Sequence, residues 1–335
     1  MIEILPLSPA ATHYKDRTTG LTLFGVATIL LGGLCALLIP LMVAGQATAA
    51  KTTGIPPNYQ SAAFAAGLYG MMAVVMVWLG YGSIMARRWA RTLLLILAGS
   101  WLLMGVISMA FMVITIPIVM ESILANQPAG QPQLPPGVMP LVMGLVFLIM
   151  GVIFIVLPGI WVLFYRSRHV KATCEARDPV ERWTDRCPVP VLTISVWLAI
   201  SVPMLLLMPV AYRGVMPFFG VYLSGLPGSL FYLASAVVTA YSAWAVYRLD
   251  PKGWWVTLLS FTLMLISGVV TYLRQDMTEM YRLMGFPEQQ LEQMRAMGKI
   301  SQPLMIGWMV FMEVLLVASM LYVKKHFRKP VDPAR

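Results

Sequence analysis

Eight runs of apolar residues, each long enough to cross a bilayer, take up most of this chain: 20–44, 61–84, 92–118, 139–164, 190–211, 228–247, 254–273 and 302–323. About 20 consecutive apolar residues span roughly 30 Å of hydrocarbon as a helix, and in lipid each backbone polar group must be satisfied within the protein. The runs therefore predict membrane-crossing helices. With 59% hydrophobic and only 11% charged residues, little chain is left for a soluble domain. The largest polar stretch, 165–189, is too short to fold alone.

The runs fall into two sets of four with shared landmarks. Tyr14-Lys15-Asp16-Arg17 opens the first set and Trp183-Thr184-Asp185-Arg186 the second. A proline follows each Asp by 24 residues (Pro40, Pro209), and a glycine lies five further on (Gly45, Gly214). The fourth runs begin alike, Pro140-Leu141-Val142-Met143-Gly144 against Pro303-Leu304-Met305-Ile306-Gly307. Four spans return a chain to its starting side, so the two copies would share one orientation, a parallel repeat. The expected fold is an all-α integral membrane protein of eight transmembrane helices, a tandem parallel repeat of two four-helix units, 1–180 and 181–335. Around the third spans two registers compete: Trp89 to Leu94 matches Trp254 to Leu259 at an offset of 165, whereas Gly105-Val106 matches Gly268-Val269 at 163.

The net charge of +10 has a topological reading that needs no nucleic acid. With the N-terminus inside, the inner segments carry 18 basic residues and the outer ones 6, as the positive-inside rule expects. Both termini are therefore expected to be cytoplasmic. The overall style is similar to bacterial inner-membrane proteins, with no tie to a named family, so the inner (plasma) membrane is the expected location. The first run is too long for a signal-peptide core and has a counterpart in the fifth, so it is expected to stay uncleaved. Cys35 lies in a span, and Cys174 and Cys187 fall in an inner loop, so no disulfide framework is expected.

The outer loops differ most between the copies. Loop 45–60 is polar with Pro56-Pro57, whereas 212–227 is apolar and aromatic and predicts an interfacial or protein-covered hairpin. Loop 121–138 reads as irregular. In its counterpart, 276–300, Met277, Met280, Tyr281 and Met284 recur on one helical face. Gly285 would end that helix, and Pro287 would open another carrying Leu291 and Met294, giving an outer cap of two amphipathic helices. Small residues such as Ala62, Ala66 and Gly70, Gly25 with Gly32, and Gly144 with Gly151 suit close helix contacts.

Glu313 is the sharpest functional candidate. It lies ten residues beyond Pro303, near the middle of the last span. An ionised carboxylate at that depth costs at least a few kcal/mol, so it must face the bundle interior or hold a proton. A proton-coupled or cation-binding site needs such a group; a structural alternative is a neutral Glu hydrogen-bonded to a neighbouring Ser, Thr or Tyr. At offset 163 its counterpart is Met150, so coupling would rest on Glu313 alone. Arg213 could be its counter-ion only if the 212–227 hairpin dips inward.

His169, Cys174 and Cys187 lack the paired spacings of a structural zinc site, and the outer methionines serve an apolar face better than a Cu(I) site. No metal or cofactor is expected. No G-x-S-x-G, H-E-x-x-H or phosphate-cradling loop is present, so a non-enzyme is expected. The favoured function is a carrier binding a small apolar or cationic substrate between the two units, with Glu313 as coupling residue and the lipid bilayer as its surroundings. The alternative is a non-catalytic scaffold or accessory subunit that binds protein partners through the outer cap and the 165–189 loop.

Overall fold

The computed structural model describes residues 14–53, 59–125 and 138–327. Among them are eight helices long and apolar enough to cross a membrane. Helices α1 (Thr18–Thr53), α2 (Tyr59–Ile84) and α3 (Arg88–Ala125) provide the first three. The fourth is made of α4 (Val138–Gly151), a π turn (Val152–Val156) and α5 (Leu157–Arg166). A short polar helix, α6 (Arg168–Arg177), precedes α7 (Val189–Tyr212), and the strands β1 (Met216–Phe218) and β2 (Val221–Leu223) lead into α8 (Gly225–Tyr247). Then come α9 (Pro251–Arg274), the short α10 (Met277–Leu283) and α11 (Glu288–Val323). The architecture is that of a helical multi-pass membrane protein with one small antiparallel hairpin.

The described residues form two compact units, one from those up to 30 together with those of 76–185, the other from those of 31–75 together with 186–327. In the first unit the close contacts are made through glycines. A Cβ on Gly25 would lie 2.7 Å from the Gly80 carbonyl oxygen, and one on Gly80 would lie 2.6 Å from that of Gly25. Their missing side chains let α1 and α2 touch backbone to backbone. The π turn has a local cause. Pro158 has no N–H to give the carbonyl of Phe154 one turn earlier, and its ring crowds that carbonyl. The ladder slips by one residue, with Leu157 N–H bonding Val152 O. Gly105 of α3 then closes on the Phe154 carbonyl, where a Cβ would be 2.2 Å away. By contrast, a Cβ at Gly144 or Gly151 would meet nothing within 4 Å among the described residues. Those two expected packing glycines make no tight contact.

The part of the polar stretch from 165 to 185 is folded against the first unit. Val170, Thr173 and Cys174 bury one face of α6. Thr173 Oγ1 accepts from Arg17 N–H and His169 Nδ1 from Lys15 N–H, so α6 holds the segment that leads into α1. Asp178, 2% exposed, receives two bonds from the Arg182 guanidinium, at 2.8 and 3.2 Å, and the backbone N–H of Arg88 at the start of α3. These bonds, that from Arg182 above all, hold its carboxyl below the ordinary carboxylate range. Cys174 and Cys187 are free but buried rather than accessible, and burial pushes each thiol up to about 11.

Two helix-to-helix turns share one geometry. Between α2 and α3, Ala86 N–H bonds Ser83 O and Arg87 N–H bonds Gly82 O; between α8 and α9, Leu249 N–H bonds Val246 O and Asp250 N–H bonds Ala245 O. Ala86 (φ 50°) and Leu249 (φ 59°) are both left-handed, as a helix C-cap of this kind requires. The two turns are 163 residues apart.

The end of the second unit that carries the hairpin and α10 is ordered. The turn of the hairpin, Phe219-Gly220, has positive φ at both residues, 42° and 100°, the twist that suits a two-residue hairpin. Its backbone groups are satisfied by one polar stripe on α9 and its C-cap residue: Ser267 Oγ accepts from Phe219 N–H and donates to Pro217 O, Thr271 Oγ1 accepts from Gly220 N–H, and Gln275 Nε2 donates to Gly220 O. Met277 and Met280 of α10 are buried with Val215 and Tyr272, and Tyr281 and Met284 pack at the edge of that cluster. Gly285, at φ 87°, ends α10 as expected. The second cap helix is not separate, however. Residues from Glu288 run without a break into the last span as α11, through Pro303. Pro56-Pro57, most of loop 121–138 and the side chain of Met294 lie outside the described residues.

Candidate functional site

A cavity of about 820 Å³ lies in the second unit, walled by α8, α9, α11 and the hairpin. Each helix contributes one stripe at i, i+3, i+4 and i+7: Phe231, Ala234, Ser235 and Val238 from α8; Phe261, Met264, Leu265 and Gly268 from α9; Met309, Met312, Glu313 and Leu316 from α11. That spacing brings four side chains to a single helical face, so the cavity is a product of helix periodicity. Met216, Pro217, Phe218 and Phe219 of the hairpin also line it, and the α9 stripe described above holds that segment in place. The size falls in the range of small-molecule sites, roughly 300–1,000 Å³.

Glu313 is the one charged side chain among the described lining residues. Thr262, one residue from Phe261 on α9, donates its hydroxyl to Glu313 Oε1 at 2.8 Å. The side chain is half-buried, so the carboxyl is both hydrogen-bonded in the protein and open to the cavity. The hydroxyl partner that the structural alternative asked for is Thr262.

Arg213 does not join it. It caps α7 in the left-handed conformation, φ 54°, and its guanidinium lies over Gly285, where a Cβ would be 2.4 Å from Cζ. Arg213 is not among the residues that line the cavity. The lining residues all fall between 216 and 316, so this cavity lies within the second four-span segment, whereas the substrate was expected between two repeats.

The aromatic walls, Phe218, Phe219, Phe231, Phe261 and Trp308, and the partner Thr262 were missed in the sequence. Aromatic residues in a span read equally well as lipid-facing. The signal that could have found them is the polar or small residue within each stripe, Ser235 and Thr239 on α8 and Gly268 on α9. Comparison with protein-family models, with curated proteins and with solved structures gives no match.

Proposed function

We propose that this protein is a multi-pass membrane carrier that takes a small solute into the cavity of its second segment, with Glu313 as the coupling residue. The observation that carries the reading is a lone carboxyl on a cavity wall, at mid-span depth by sequence, with a hydroxyl partner and an apolar surround. No titratable or charged side chain from α8, α9 or the hairpin lines the cavity beside it among the described residues. Solute binding and proton binding would then compete for one group, which is the minimum that exchange requires. A tandem duplication in an inner membrane with both termini cytoplasmic is part of this reading. It is supported by the matched turns at offset 163, the shared landmarks and the 18-to-6 split of basic residues.

The accessory-subunit reading has less support, because the surfaces it needs are largely engaged. The methionine face of α10 packs into its own unit, and 165–189 is tied to α3. The test is uptake into proteoliposomes under an imposed pH gradient, screened over apolar and cationic solutes. Wild type is expected to show pH-dependent uptake and Glu313→Gln to lose that dependence. Identical pH profiles would remove Glu313 from the mechanism.

A further inference from the structure

The cavity also carries information about which solutes it would take. We infer that its ligand is a lipophilic organic cation, an apolar body bearing one positive charge; the inference rests on the carrier reading above and narrows it to one class.

Glu313 offers negative charge and hydrogen-bond acceptance, and no Lys, Arg or His is among the described lining residues to compete with a ligand for it. Its Thr262 partner donates to Oε1 and neutralises nothing. An anionic solute would meet repulsion with no compensating donor. A sugar-like solute needs many free polar groups, and two of the four lining hydroxyl residues, Ser260 and Ser267, are committed to backbone partners, which leaves Ser235 and Thr239 as too few. Ser260 donates to the Thr257 carbonyl, and Ser267 is spent on both its bonds with the hairpin. The rings of Phe261, Phe231 and Trp308 face the same space. Aromatic faces attract cations and give apolar bodies a surface to pack on, and both effects strengthen when water is excluded. A compact, strongly hydrated metal ion would need several oxygen ligands, of which one carboxyl and scattered hydroxyls are too few.

The experiment uses the full chain in detergent micelles and measures saturable binding of tetraphenylphosphonium, of its near-isosteric anion tetraphenylborate, and of neutral triphenylphosphine oxide. The expected result is that the cation binds at least about tenfold more tightly than the anion. Glu313→Gln, which keeps shape and can still accept from Thr262, is expected to erase that preference, and Thr262→Val to reduce it. Ser235→Phe, which fills the cavity, is expected to abolish binding. Binding that ignores charge but is still abolished by Ser235→Phe would overturn the cation class and leave the cavity reading standing. If none of the three probes binds saturably, or if Ser235→Phe has no effect on their binding, both the class and the cavity reading fall.

Discussion

Gly105 and Gly144 look alike in the sequence, each a small residue in an apolar run, yet their surroundings differ completely. A side chain at Gly105 would collide with the Phe154 carbonyl, which Pro158 cannot serve as a donor, whereas one at Gly144 would meet nothing within 4 Å among the described residues. Gly105→Ala is therefore expected to destabilise the protein by about 1–3 kcal/mol through overpacking, and Gly144→Ala to be close to neutral. Thermal unfolding of the two variants in the same detergent checks this; equal shifts would contradict it. The repeat landmarks divide in the same way. Pro40 and Pro209 both sit inside helices. Gly214, however, is left-handed at φ 67° and pressed against Gly225, whereas Gly45 is in mid-helix and a Cβ there would meet none of the described residues within 4 Å. Glu313 was legible because a carboxylate in an apolar run needs no partner to be conspicuous. Thr262, 51 residues away, was not, since nothing local marks a hydroxyl that will reach another helix.

At the scale of elements, the hairpin depends on α9. Thr271 is fully buried and is the partner of the Gly220 N–H. Thr271→Val keeps the shape and leaves that N–H without its acceptor, a loss of about 1–3 kcal/mol. Faster hydrogen exchange at Gly220 in this variant is the expected readout, and unchanged protection would show that the bond is dispensable. The hairpin was foreseeable because a segment rich in Pro, Gly and aromatics carries backbone polar groups that lipid cannot satisfy. Its latch was not, because Ser267, Thr271 and Gln275 read as ordinary polar residues until the turn lies on them. The fold of 165–189 carries its own pH signature. The Asp178 carboxyl has a depressed pKa, chiefly because Arg182 bonds it. Its contribution to stability is present above the ordinary value of 3.8 and is lost as pH falls from there through the lower folded value. The melting temperature of wild type should drop across that acid window, and Asp178→Asn should lack this part of the drop. Parallel curves for the two proteins would count against it.

For the whole molecule, the proposed topology has an even number of spans, with both ends on one side and the basic-residue split assigning that side to the cytoplasm. Reporter fusions at the N-terminus and after Phe327 are both expected to report the cytoplasm, and opposite signals would break the eight-span topology. The count of spans was legible from hydropathy alone. Where one helix continues into its neighbour was not, since the amphipathic pattern after Pro287 looks like a separate helix until Pro303 is seen to be carried inside α11. That continuity has a mechanical meaning. At about 1.5 Å per residue, the 36 residues of α11 form a shaft roughly 54 Å long. One end is geared to α10 and Glu313 is mounted farther down. Pro303 removes one hydrogen bond between them, so bending concentrates there as in a flexible coupling. A twist applied at the Glu288 end reaches the carboxyl through a single piece of backbone, with no intervening loop to absorb it.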